Sequence, residues 1–156
     1  MTIKIYLDTS VVSAYHDVRV PEFSAMTREM FSALGKGCVF VGSVMLQSEV
    51  EAANPIRRKQ MLSLIRRIGV RILNVHPAIE TLATSYLKQG ILPLDSSADA
   101  IHLAYATYYE IDYLASWNYR HLINDHRKQA FAHHNLSRGL FLPKIVSPGN
   151  LLEGAK

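Results

Sequence analysis

Three carboxylates and one amide stand where chemistry is most easily built. Asp8 follows the apolar run 3–7, Asn118 follows the apolar run 113–117, and Glu49 and Asp99 lie in segments with helical spacing. In a parallel sheet, ligands sit beyond the carboxyl ends of the strands, so these four can reach one crevice. Acids brought together repel one another and resist desolvation, and a bound divalent cation is the natural remedy. Hard Mg²⁺ or Mn²⁺ suits oxygen donors and keeps several waters. Such a centre activates water and neutralises charge building on a phosphodiester during in-line displacement. Each residue also has an ordinary structural use. Asp8 opens a turn, Asp99 stands three residues after Ser96 in a capping-box-like pattern, Glu49 lies beside Glu51 on a polar helix face, and Asn118 caps a turn or helix. Spacing alone leaves both readings open.

The elements that must position these residues alternate along the chain. Residues 3–7, 38–41, 70–75, 111–117 and 144–147 are apolar runs rich in strand formers. Between them, 22–34 places Phe23, Met26, Met30, Phe31 and Leu34 at helical spacing, and Gly35 and Gly37 stop it. Ser43 is an N-cap for a helix through Glu51, Pro55 opens another that runs to Gly69, and Pro77 opens one closed by Gly90. Further helices are predicted over 97–110 and in the basic stretch after Asn118. This is the pattern of an α/β domain: a mostly parallel sheet of about five strands with helices on both faces.

Composition narrows the class. In 156 residues, 17 Lys and Arg face 13 Asp and Glu, a net charge of +4 mildly suited to a polyanionic partner. At 49% hydrophobic and 19% charged the chain buries a real core and is neither a disordered tail nor a fibre. The length and the lack of repeats or linkers predict one domain, 1–156. A single cysteine, Cys38, excludes an intramolecular disulfide and a cysteine-only metal cluster, and points to a reducing, cytoplasmic setting. Apolar stretches are broken before they reach bilayer-spanning length, so no membrane association is expected.

Several segments together resemble a PIN domain of the VapC-type ribonuclease toxins. They are Tyr6-Leu7-Asp8-Thr9-Ser10, Ser43-Val44-Met45-Leu46-Gln47-Ser48-Glu49-Val50, Ala98-Asp99-Ala100-Ile101-His102-Leu103-Ala104-Tyr105-Ala106 and Asp112-Tyr113-Leu114-Ala115-Ser116-Trp117-Asn118 running on to Leu122. Pro143-Lys144-Ile145-Val146-Ser147-Pro148 is similar to the closing segment of one subgroup. No single piece is decisive; their order and spacing carry the likeness. The resemblance implies Mg²⁺- or Mn²⁺-dependent RNA cleavage, with Asp8, Glu49 and Asp99 holding metal, Asn118 assisting, and an activated water attacking phosphorus. It further implies a homodimer and a small antitoxin partner. Many PIN nucleases have Asp where this chain has Asn118, so the site lacks one negative charge. Ser10, Ser116 and Asp95 are expected around the ligands.

The alternative reading is a catalytically weakened PIN domain that binds RNA or a partner without turnover. Arg57, Arg58, Lys59, Arg66 and Arg67, with Arg120, Arg127, Lys128, Arg138 and Lys144, are candidates for backbone contacts, although solvated helix faces use such residues as well. The Phe23, Met26, Met30 and Phe31 face offers either a groove for an antitoxin helix or ordinary core. His121, His126, His133 and His134 lack zinc-ligand spacing, and no glycine-rich phosphate loop follows the first strand.

Overall fold

Five residues, Ile3-Lys4-Ile5-Tyr6-Leu7, form β1 (Ile3–Leu7), the central strand of a five-stranded sheet of order β3-β2-β1-β4-β5. The computed structural model describes residues 2–155. The other strands are β2 (Cys38–Gly42), β3 (Arg71–Ile72), β4 (Tyr113–Ala115) and β5 (Lys144–Val146), and every pairing is parallel. Parallel neighbours require crossovers, which the helices supply. These are α1 (Thr9–Ala14), α2 (Pro21–Leu34), α3 (Val44–Glu51), α4 (Pro55–Ile68), α5 (Pro77–Lys88), α6 (Ser97–Tyr108), α7 (Asp125–Ser137) and α8 (Pro148–Ala155).

The two sides of β1 feed two cores. Ile5 and Leu7 pack with Val11, Met30, Phe40, Leu46 and Leu64 on one side, while Tyr6 points to Ala100, Leu103, Leu114 and Phe131 on the other. Burying one such aliphatic side chain is worth roughly 1.5–3 kcal/mol. The predicted α/β sandwich with about five strands is therefore the observed one. The chain winds outward from β1 to β2 and β3, then returns to place β4 on the other flank of β1. That reversal opens a crevice at the carboxyl ends of β1 and β4, where α/β sheets bind ligands.

Boundaries differ from the sequence reading in instructive ways. The strand expected over 70–75 keeps only Arg71–Ile72, because edge strand β3 has one neighbour to pair with. The helix expected directly after Asn118 begins at Asp125; residues 118–124 form turns first, and Asn124 then caps the helix by accepting from the Arg127 amide. Two short helices, α1 and α8, were not anticipated. Asp8-Thr9-Ser10 starts helix α1 with Val11, Val12 and Ala14 buried, and α8 lies along α2 with Gly149 close to Met26. That face, read as a groove or core, is thus largely closed from within: Met30 and Phe31 are buried and Met26 is 39% exposed. At the β2–α3 corner a Cβ on Gly42 would meet Leu46 Cδ2 at 2.6 Å, so any larger residue there requires the buried Leu46 side chain to shift. Among the described residues no helix is long and apolar enough to cross a membrane.

Candidate active site

Asp8 sits at the N-cap of α1, and its backbone N–H donates to Ala115 O at 3.1 Å, tying the end of β1 to the end of β4. Its carboxylate is buried. Oδ2 accepts from Ser10 Oγ at 2.5 Å and from Ser116 Oγ at 2.8 Å. These hydroxyls are held in turn: Ser10 Oγ accepts from the Trp117 N–H and Ser116 Oγ from the Asn118 N–H, each at 2.9 Å. Both serines expected around the ligands are therefore in contact with Asp8. Asp95 is exposed and makes no hydrogen bond or ion pair with the cluster among the described residues.

Glu49 arrives from α3, whose start is set by Ser43 Oγ accepting from the Met45 N–H. One carboxylate oxygen, Oε1, accepts from Thr9 Oγ1 and from His102 Nε2, both at 2.7 Å. A carboxylate only accepts, so Nε2 carries the hydrogen. The same nitrogen lies 3.4 Å from Asp8 Oδ1. On the far side of the ring, Nδ1 is 2.6 Å from the Tyr6 hydroxyl, which is 2.7 Å from Ser43 Oγ. A single buried imidazole thus bridges two of the three acids and connects them to the cap of α3.

Asp99 lies in the first turn of α6, one turn before His102 on the same face. Ser96 makes no side-chain cap, and its hydroxyl pairs with His121 Nδ1 at 3.2 Å. The capping alternative for Asp99 is therefore not the one adopted. Asp99 Oδ2 accepts from His121 Nδ1 at 3.0 Å, and Asn118 Nδ2 reaches the two Asp99 oxygens at 3.3 and 3.4 Å. Asn118 Oδ1 accepts from the His121 N–H at 3.0 Å, the turn-cap use. The amide oxygen offered above as a metal donor is thus committed to the backbone, and Asn118 acts on Asp99 through its NH₂.

Burial alone would raise the Glu49 carboxyl, but hydrogen bonds from His102 and Thr9 outweigh it and hold the group below its ordinary value. His102 is raised: burial opposes the charged ring, and the Glu49 hydrogen bond with the charges of Asp8, Glu49 and Asp99 overcomes it. Asp99 is raised by burial and then by the Asp8 charge, against the hydrogen bond from His121.

Oxygen donors under mutual repulsion are the chemistry a hard divalent ion satisfies, so Asp8, Glu49 and Asp99 fit one by donor type. They are not a ready-made cage. Among the described residues no group of three or more His, Cys, Asp and Glu converges as a metal site, and one oxygen of each acid is engaged by an imidazole or a hydroxyl. His102, Tyr6, Thr9 and His121 escaped the sequence reading. The signals were His102 three residues after Asp99 in an otherwise apolar helix, and His121 three residues after Asn118.

The basic residues divide. Arg57 binds Ser13 O and Oγ, Arg58 binds Ala53 O, Arg127 binds Gly90 O and Ile91 O, and Arg138 binds His134 O. These four pin the chain to itself, whereas Lys59, Arg66 and Arg120 are exposed.

No family model and no curated protein matches the sequence. Solved structures do match the fold. One is a chain of VapBC2 from Rickettsia felis, in a structure described as bound to a DNA fragment from their promoter, with a TM-score of 0.61 at 10% identity over 93% of this chain and 98% of that one. Another is VapC20 of Mycobacterium tuberculosis, described as a sarcin-ricin loop cleaving toxin, with a TM-score of 0.56 at 18% identity over 73% of this chain and 89% of that one. The chain has the PIN-like fold of these VapC proteins.

Proposed function

We propose that this chain is a metal-dependent endoribonuclease acting in the cytoplasm as the toxin of a toxin–antitoxin pair. The carrying observation is the network that ties the three acids to the crevice between β1 and β4: His102 joins Asp8 to Glu49, and Asn118, whose N–H donates to the Ser116 hydroxyl on Asp8, reaches Asp99 through its side-chain amide. The description of VapC20, which shares this fold, as a sarcin-ricin loop cleaving toxin supports RNA as the substrate. A small antitoxin protein and a second copy of the chain are the proposed partners.

Asp8, Glu49 and Asp99 would hold Mg²⁺ or Mn²⁺, which supplies water activation and charge neutralisation at a phosphodiester. Ser10 and Ser116 hold Asp8 by donating to the same oxygen, Oδ2, while Oδ1 lies 3.4 Å from His102 Nε2. Thr9 and His102 aim Glu49 inward although its side chain is 36% exposed. Asn118 and His121 orient Asp99, so the amide at this position replaces a fourth negative charge by a donor that steadies the third. No protein nucleophile is needed.

The committed Asn118 oxygen and the imidazoles on the acids favour a second reading, an RNA- or partner-binding domain without turnover. Cleavage of RNA by the purified protein in Mg²⁺, Mn²⁺ and EDTA, with an Asp8→Asn control, separates the two. Metal-dependent cleavage absent from the control is the expected result. RNA binding with no cleavage in any metal would replace it by the second reading.

A further inference from the structure

An aromatic group at the rim of the crevice is not used by the chemistry above. Phe23 and Trp117 stack with centroids 4.0 Å apart and planes 9° from parallel, and Trp117 Nε1 donates to Thr27 Oγ1 at 2.8 Å. Tyr119 lies 6.1 Å from Phe23 and 6.3 Å from Trp117, ring to ring. Trp117 is 7% exposed while Tyr119 is 49% exposed. The Tyr119 hydroxyl makes no hydrogen bond among the described residues.

Tyr119 is not a loose surface ring. Its N–H donates to Trp117 O at 3.0 Å, and Asn124 Nδ2 reaches the carbonyls of Tyr119 and Arg120 at 3.3 and 2.8 Å. The start of the turn is fixed to the site, since the Trp117 N–H holds Ser10 beside Asp8 and Asn118 holds Asp99. Arg120 is exposed and forms no ion pair among the described residues. A braced, half-exposed ring followed in the chain by an exposed arginine, on a turn tied to the proposed phosphodiester site, combines the two features used to hold single-stranded nucleic acid: a π face for a base and a cation for the backbone.

Resting on the ribonuclease reading, we propose that Tyr119, braced by the Phe23–Trp117 stack, is the stacking platform for one unpaired base of the RNA next to the phosphate held in the crevice. The site then selects single-stranded or looped RNA, because a base inside a duplex is already stacked on its neighbours. Peptide segments of a partner protein also use exposed aromatic rings, but the exposed Arg120 next in the chain and the acids tied to the same turn through Asn118 and Ser116 favour a ligand that carries both a base and a phosphate.

The test uses the full chain carrying Asp8→Asn, so that RNA stays intact. Binding is followed by polarisation of a labelled oligoribonucleotide and by fluorescence of Trp117, the chain's single tryptophan. A series of RNAs has one abasic ribose placed at each successive position. With Tyr119 present, abasic substitution at one position weakens binding about tenfold. Tyr119→Ala weakens binding of intact RNA by a similar factor and removes the abasic effect, while Tyr119→Phe retains both affinity and abasic sensitivity. Equal melting of the three proteins controls for folding. Tyr119→Ala binding intact RNA as its parent does, or keeping the full abasic penalty, overturns the proposal and leaves the ring to a protein partner. Wild-type cleavage alongside an indifferent Tyr119 sinks this proposal alone; neither cleavage nor RNA binding by the wild type sinks the ribonuclease reading and this one with it.

Discussion

Helix α6 joins two buried histidine sites that have little else in common. At its first turns, His102 is 1% exposed and faces Glu49 and Asp8. Beyond its last turn, His134 on α7 is 2% exposed and meets only neutral groups at its ring nitrogens, Ser85 Oγ and Asn135 Oδ1, each at 3.0 Å. Asn135 also binds Tyr86, Thr107 and the Phe141 carbonyl. The two histidines shift in opposite directions: His102 up under its carboxylates, His134 down through burial, with the Asn135 hydrogen bond opposing and the Arg138 charge adding to the fall. Burial therefore does not assign a histidine its role. The charge of its partners does.

On the proposed reading the acidic end serves chemistry, so its substitutions should strike activity and spare the fold. Asp8→Asn and Asp99→Asn are each expected to reduce RNA cleavage to background, with melting changed by a few degrees at most. Either variant cleaving at the wild-type rate would remove that residue from the mechanism. The neutral end should behave the other way. Asn135→Ala strips partners from Tyr86, His134 and Thr107 at once, and urea unfolding should show a loss of about 2–4 kcal/mol. Cleavage per folded molecule should stay at the wild-type level; a fall of tenfold or more would mean that the two ends are coupled.

Much of this contrast is invisible in the sequence for a definite reason. Asp8 and Asn118 are legible because they follow runs that read as strands, Asp99 because it starts a strongly apolar helix, and Ser10 and Ser116 only through the resemblance of their segments to a PIN domain. The alternation of strands and helices carries the sheet in the same way. His102 is different: its partners Tyr6 and Glu49 lie 96 and 53 residues away, and only the return of β4 to the flank of β1 brings them together. Within α6, His102 and the apolar residues around it share one hydrophobic run, so periodicity gives the ring no distinguishing mark. Helix α1 was hidden by the opposite effect, since Asp8-Thr9-Ser10 is equally good as a turn or as a helix start. Asn118 could be placed but not oriented: which way its amide faces depends on the His121 backbone, which spacing does not reveal.

The smallest expected effect is also the most direct probe of the difference between the histidines. His102 has its folded value above the ordinary 6.5, so its contribution to stability is fully present below about pH 6.5 and is lost as pH rises through the folded value. Glu49, held below 4.5, contributes fully above that pH and loses its contribution as pH falls through its own folded value. The pair therefore supports the fold most between those two limits. His134, held below 6.5, works in the reverse sense: stability is full above pH 6.5 and declines as pH falls toward its lowered value. Urea midpoints from pH 5 to 8 in EDTA should show His102→Gln losing stability relative to wild type on the acid side of that range, and His134→Gln gaining relative stability there. For one proton the slope cannot exceed about 1.4 kcal/mol per pH unit, so the readout is a divergence of two curves rather than a collapse. Parallel curves for the two variants would mean that the carboxylates around His102 do not set its charge, and the division of α6 into a charged and a neutral end would fall.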